Sequence, residues 1–141
     1  MDLRKLTDDI TVAPQIAIEE LADAAKLGFK TVICNRPDGE EFSQPVAEDM
    51  ADAAGDAGMT FVHQPVMSGN MTFEDVDQFG KLLEDLPKPV LAYCRSGTRC
   101  STLWALSKAK TRDIDEILSI CAAAGYDYSG MRGTLEAIKN G

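Results

Sequence analysis

Apolar positions along the chain follow two rhythms that alternate from one end to the other. Residues 8–16, DDITVAPQI, contain a short β-branched run and predict a first strand. From Ile16 the spacing becomes helical over IAIEELADAAKLG, with Gly28 where a helix C-terminus favours glycine. FKTVIC (29–34) is a compact β-branched run and predicts a second strand. NRPDGEE (35–41) follows as a loop, with Pro-Asp-Gly as its turn signal. Residues 44–57 predict a helix with Pro45 in the first turn, where its missing N–H is not needed.

MTFVHQPV (59–66) reads as a third strand. MTFEDVDQFGKLLEDL (71–86) reads as a helix capped by Thr72, with Asp75 completing a capping-box pattern. KPVLAYC (88–94) is a fourth strand, followed by a helix from about Thr98 or Cys100 to Ala109. Helices over about 113–124, ended by Gly125, and about 130–139 close the chain.

Strands and helices in alternation predict an α/β fold. It is a three-layer domain, with a mainly parallel sheet of four to five strands covered by helices on both faces. No repeat or linker divides the chain, so residues 1–141 read as one catalytic domain. Ligands of such sheets bind beyond the carboxyl ends of the strands. Two loops at that edge carry chemistry, one after Cys34 and one after Tyr93.

Composition narrows the partners. Against 23 acidic residues stand 14 basic ones, a net charge of −9. Nucleic acid and anionic membranes are therefore poor partners, since both require a cationic footprint. A small anion in a local positive pocket remains compatible. No apolar run approaches the length of a membrane span, and the opening MDLRKLTDDITV lacks a signal-peptide core, so a cytoplasmic location is expected. There, Cys34, Cys94, Cys100 and Cys121 are expected as reduced thiols. With no Cys-x-x-Cys pair and one histidine, no metal site is expected, nor any cofactor.

The chemistry concentrates in VLAYCRSGTRCST (90–102). A loop that turns straight from strand to helix points successive N–H groups inward, and the helix adds the positive end of its dipole. Gly97 admits a backbone conformation and a close approach that a Cβ would oppose. Arg95 and Arg99 add fork-shaped cationic donors, while Ser96 and Thr98 complete the internal hydrogen bonds, Thr98 or its neighbours capping the helix. A thiol at Cys94 in that setting has a depressed pKa and becomes a nucleophile inside an anion cradle. Sulfur transfer through a persulfide and phosphate-ester hydrolysis through a phosphocysteine both use such a device. A buried, inert cysteine is the plain alternative.

CRSGTR resembles the six-residue active loop of rhodanese-type sulfurtransferases, whereas tyrosine and dual-specificity phosphatases place arginine at the seventh position, here Cys100. KTVICNRPDGEEFSQPVAEDM, YCRSGTRCSTLWALSKA and AAAGYDYSGM together resemble one bacterial family over nearly the whole chain. It comprises the small sulfurtransferase-like domain of the beta-lactamase hydrolase-like proteins, found alone or fused to metallo-β-lactamase-type hydrolases. That resemblance implies a fold like that of dual-specificity phosphatases, in a family described both as phosphatases and as sulfur transferases.

Phosphatases of that type also need an aspartic acid about 30 residues before the cysteine to protonate the leaving alcohol. FVHQPVMSGN offers no carboxylate there, and Glu74 and Asp75 are better explained as first-turn residues of a helix.

Several other residues carry open alternatives. Arg36 reaches an anion at the sheet edge, or Asn35 and Asp38 hold the turn. Cys100 either faces the core or, with Cys34, is a candidate redox partner of Cys94. Cys121 and Trp104 read as core. His63 reads as structural rather than as a base. GYDYSGMRG is a candidate substrate rim.

The leading expectation is a sulfurtransferase. Cys94, with Arg99, takes sulfane sulfur from thiosulfate or a glutathione persulfide and passes it to a thiophilic acceptor. A cysteine phosphatase is the second expectation. The third is a non-catalytic persulfide carrier that docks on a persulfide dioxygenase of the metallo-β-lactamase-like fold.

Overall fold

The structure, a computed structural model, describes residues Met1–Gly141. Five strands run β1 (Arg4–Thr7), β2 (Ile10–Ala13), β3 (Thr31–Cys34), β4 (Thr60–His63) and β5 (Val90–Tyr93). Helices are α1 (Glu20–Lys26), α2 (Ala47–Asp56), α3 (Phe73–Asp85), α4 (Thr98–Lys108), α5 (Ile114–Ala123) and α6 (Arg132–Asn140), the last preceded by a 3-10 turn, Ser129–Met131. The sheet order is β1-β2-β5-β3-β4, parallel except for the β1–β2 pair.

The predicted α/β class and mainly parallel sheet are thus observed. β1 is the strand the periodicity does not predict. Its sequence RKLT buries only Leu6, so neither alternation nor an apolar run marks it, and pairing with β2 is what makes it a strand.

Both faces of the sheet are covered. Val12, Ile33, Val90, Ala92 and Cys94 share one core with Phe79 of α3, Leu103 and Trp104 of α4, Ile117 of α5 and Leu135 of α6. Ala13, Val32, Cys34, Leu91 and Tyr93 face the other way, onto Leu21 of α1 and Met50 of α2. Side chains of successive strand residues point to opposite faces, so one strand feeds both cores.

β5 and β3 are buried at all four positions, as sheet centres with two covered faces require, and β4 is a half-exposed edge. No helix is long and apolar enough to cross a membrane.

The capping box at Thr72 and Asp75 is present, each side chain bonding the other's backbone N–H. The second helix starts later than its apolar spacing suggests, at Ala47 rather than residue 44. Gln44 is engaged elsewhere: its Oε1 accepts from the N–H groups of Glu40 and Glu41, and its Nε2 donates to Pro37 O. Asp38 Oδ1 accepts the Ala47 N–H at 2.8 Å, so the loop itself caps α2.

Candidate active site

β5 lies between β2 and β3, so its exit at Cys94 is walled by the loops that leave its two neighbours. Three backbone bonds seat it there: Cys94 N to Ala13 O (3.3 Å), Asn35 N to Tyr93 O (2.9 Å) and Gln15 N to Arg95 O (3.2 Å). Cys94 is fully buried, and the chain turns into α4 within three residues. Gly97 is the N-cap, at φ +84°, where a side chain would be strained. The expected cap therefore shifts: Thr98 is the first helical residue, and its N–H donates to Ser96 Oγ at 3.3 Å.

The cradle is formed. Gly97 N–H donates to Cys94 Sγ at 3.1 Å. The thiol of Cys100 also hydrogen-bonds that sulfur, and with the N–H groups of Cys100, Ser96 and Arg99 it lowers the Cys94 pKa to about 5, against the opposing effect of burial. Cys100 moves the other way. Fully buried, it is pushed well above the ordinary thiol range by desolvation and stays protonated as a donor.

Arg99 stands beside the thiolate in a fork: Nη1 and Nη2 each meet a Glu40 carboxylate oxygen at 2.8 Å, and Nη1 also donates to Val66 O at 3.0 Å. That pairing, chiefly the hydrogen bonds from Arg99, lowers Glu40 to about 2 and keeps it ionised.

The second guanidinium at the edge has a different role from the expected one. Arg36 is 2% exposed, and its Nε, Nη2 and Nη1 meet Glu40 (2.9 Å), Glu41 (3.0 Å) and Gln15 (2.9 Å). Every nitrogen of Arg36 has a protein partner, so it positions the carboxylates that hold the loop arginines rather than contacting an anion. Arg95 lies outward, its side chain 66% exposed and its Nε 3.0 Å from Glu41. His63 Nε2 lies 2.9 Å from Arg36 O and helps fix this corner.

Cys34 sits in the core on the opposite sheet face from Cys94 and Cys100, its Sγ donating to Arg36 O at 3.4 Å. As a redox partner of Cys94 it is thus separated by the sheet, whereas Cys100 is in contact. Cys121 and Trp104 are core, as read.

Glu40, Glu41 and Gln15 are site residues the sequence does not single out, whereas Tyr126 and Tyr128 belong to GYDYSGMRG, read as a candidate substrate rim. The tyrosine hydroxyls reach the active loop at Ser96 O (3.0 Å) and Thr98 O (3.2 Å). Two glutamates in a Pro-Asp-Gly loop carry the ordinary signature of a solvated turn. Only the loop's position next to β5 brings them to Arg95 and Arg99.

Comparison with known proteins gives the family and the fold relatives of the chain. A family model for the phosphatase-like domain of the beta-lactamase hydrolase-like protein matches residues 2–111. The beta-lactamase hydrolase-like protein of Agrobacterium fabrum strain C58 is 36% identical over 132 residues, covering 86% of this chain and 31% of that protein. The chain thus spans about a third of the length of the curated relatives it matches.

A solved structure from Neisseria meningitidis Z2491, named provisionally as a phosphatase, is 40% identical with a TM-score of 0.87, covering 98% of this chain and 99% of that one. The core catalytic domain of the PP-IP phosphatase SIW14 of S. cerevisiae shares the fold at 15% identity and a TM-score of 0.71, covering 96% of this chain and 84% of that one.

Proposed function

The chain belongs to the family of phosphatase-like domains of beta-lactamase hydrolase-like proteins, and from that premise we propose that it is a cysteine-dependent phosphatase acting on a phosphate monoester. The observation that carries the reading is a thiolate, with its pKa near 5, held at the floor of an N–H cradle beside a fixed guanidinium.

The steps follow from that arrangement. Cys94 Sγ attacks phosphorus, an S–P bond forms, and the P–O bond to the leaving group breaks; the departing oxygen takes a proton from water. A second water then attacks the phosphocysteine, releasing inorganic phosphate and restoring the thiolate. The loop N–H groups and Arg99 hold the phosphoryl oxygens while charge builds on them. Glu40, ionised down to about pH 2, orients Arg99 and delivers no proton. Aryl phosphates are the substrates of choice for a first assay, because a phenol leaves with little protonation.

Sulfur transfer, the leading expectation from the sequence, gives way to this reading. It rested on the length of the Cys94–Arg99 loop and on the absence of a carboxylate about 30 residues before Cys94, while the family and a relative 40% identical point to phosphoester chemistry. The six-residue loop still favours a Cys94 persulfide as the second reading, and the dioxygenase partner belongs with it.

One experiment separates them: p-nitrophenyl phosphate turnover by wild type and Cys94→Ser, beside intact mass after incubation with thiosulfate or glutathione persulfide. Phosphate release that disappears in Cys94→Ser supports the phosphatase. A Cys94-dependent gain of one sulfur atom without phosphate release would reverse the order.

A further inference from the structure

Two peptide units of the active loop are held from both sides. In a trans peptide the C=O and the following N–H are coplanar and point in opposite directions, so fixing one fixes the other. Tyr126 OH donates to Ser96 O at 3.0 Å, and the N–H of the same peptide unit, that of Gly97, donates to Cys94 Sγ at 3.1 Å. Tyr128 OH bonds Thr98 O at 3.2 Å, and the N–H of that unit, on Arg99, is among those that stabilise the Cys94 thiolate. Each hydroxyl therefore holds the back of a peptide whose front faces the nucleophile.

The fit is close. A Cβ on Gly97 would lie 2.1 Å from the Tyr126 hydroxyl oxygen, so glycine is required there by contact as well as by its positive φ. Tyr128 OH also lies 2.5 Å from Ser101 Oγ and accepts from it, which leaves the phenol proton for Thr98 O. The two rings stack at 6.1 Å between centroids, 13° from parallel, and Arg4 of β1 lies 5.2 Å over the Tyr126 ring. Arg4 Nη1 also donates to Ala124 O at 3.3 Å, tying the segment to the sheet. Both tyrosines lie outside residues 2–111, the part that matches the family model.

We propose that Tyr126 and Tyr128 are positioning residues of the active loop: their hydroxyls hold the Ser96–Gly97 and Thr98–Arg99 peptides so that both N–H groups converge on Cys94. The proposal rests on Cys94 being the nucleophile of the proposed phosphatase. The titratable groups around the sulfur are Cys100 and Arg99 of α4, Cys34 of β3, and the two tyrosines themselves. Neither tyrosine substitution removes a charge from that set at neutral pH, because burial holds both phenols above their ordinary range.

The test is Tyr126→Phe, Tyr128→Phe and the double variant, each of which keeps the stacked rings. The pH dependence of Cys94 alkylation by iodoacetamide is measured on each, together with kcat and KM for p-nitrophenyl phosphate and the melting temperature. Each single variant is expected to raise the alkylation midpoint by roughly half a pH unit, and the double variant by about one unit. Because the held N–H groups meet charge that develops in the transition state, kcat is expected to fall roughly three- to tenfold with KM changed less than about twofold.

Alkylation midpoints and kcat equal to wild type, with or without a lower melting temperature, would overturn the proposal and leave the tyrosines a packing role. Alkylation reads the thiolate whether or not an ester is hydrolysed. Absence of turnover in the wild type would therefore count against the phosphatase reading alone, and an unshifted midpoint against the tyrosine clamp alone.

Discussion

Cys94 and Cys100 are two thiols in contact that the fold drives in opposite directions. Cys94 meets donors and is lowered to about 5, whereas Cys100 meets mainly desolvation and is raised. Alkylation of the native protein is therefore expected at Cys94, with its midpoint near pH 5 rather than in the ordinary thiol range; a midpoint above about 8 would contradict the cradle. The same shift has a consequence for stability. The folded state holds the thiolate better than the unfolded chain, so this contribution is complete above the unfolded thiol's pKa and is lost as pH falls through about 5. The melting temperature of wild type relative to Cys94→Ser should rise between pH 5 and 8.

Glu40 sets the other half of the site. Glu40→Gln keeps the shape but removes the charge facing Arg99 and Arg36, and should lower kcat/KM roughly tenfold and stability by about 1–2 kcal/mol. A kinetically silent Glu40→Gln would show that Arg99 needs no carboxylate to be held.

Among the elements, α3 shows how a helix start can reach the active site. Thr72 and Asp75 close the capping box, Asp75 O accepts from Gln64 Nε2 at 2.9 Å, and Gln64 O accepts from Asn35 Nδ2 at 3.0 Å. Asn35 in turn bonds the last residue of β5 through its N–H. Thr72→Ala should cost about 1 kcal/mol, seen as a melting temperature lower by roughly 3 °C, with little change in kcat because Asn35 keeps its backbone bond. α4 is the functional counterpart, starting on glycine and presenting its first turn to Cys94.

For the molecule as a whole, the last helix is part of the larger core and not an appendage. Leu135 of α6 is fully buried with Trp104 and Ile117. Leu135→Ala should lose about 2–4 kcal/mol in denaturant unfolding, and a loss near zero would mean that α6 docks independently of the core.

Chain pattern by itself determined the three-layer α/β class, the capping box at Thr72 and the Cys94–Arg99 loop, because each is written in contiguous residues. A period of two or near 3.6, a turn and a cap are local properties of the backbone. It did not determine β1, whose four residues become a strand only by pairing with β2. Nor did it determine the partners that make the loop a site, since Gln15–Arg36, Tyr126–Ser96 and Glu40–Arg99 lie 21, 30 and 59 positions apart. Those contacts follow from the order β2-β5-β3 and from the return of the C-terminal segment over α4. Isolated, Glu40 is a solvated loop residue and Arg36 a free cation; tertiary packing alone makes one the anchor of Arg99 and buries the other as its brace.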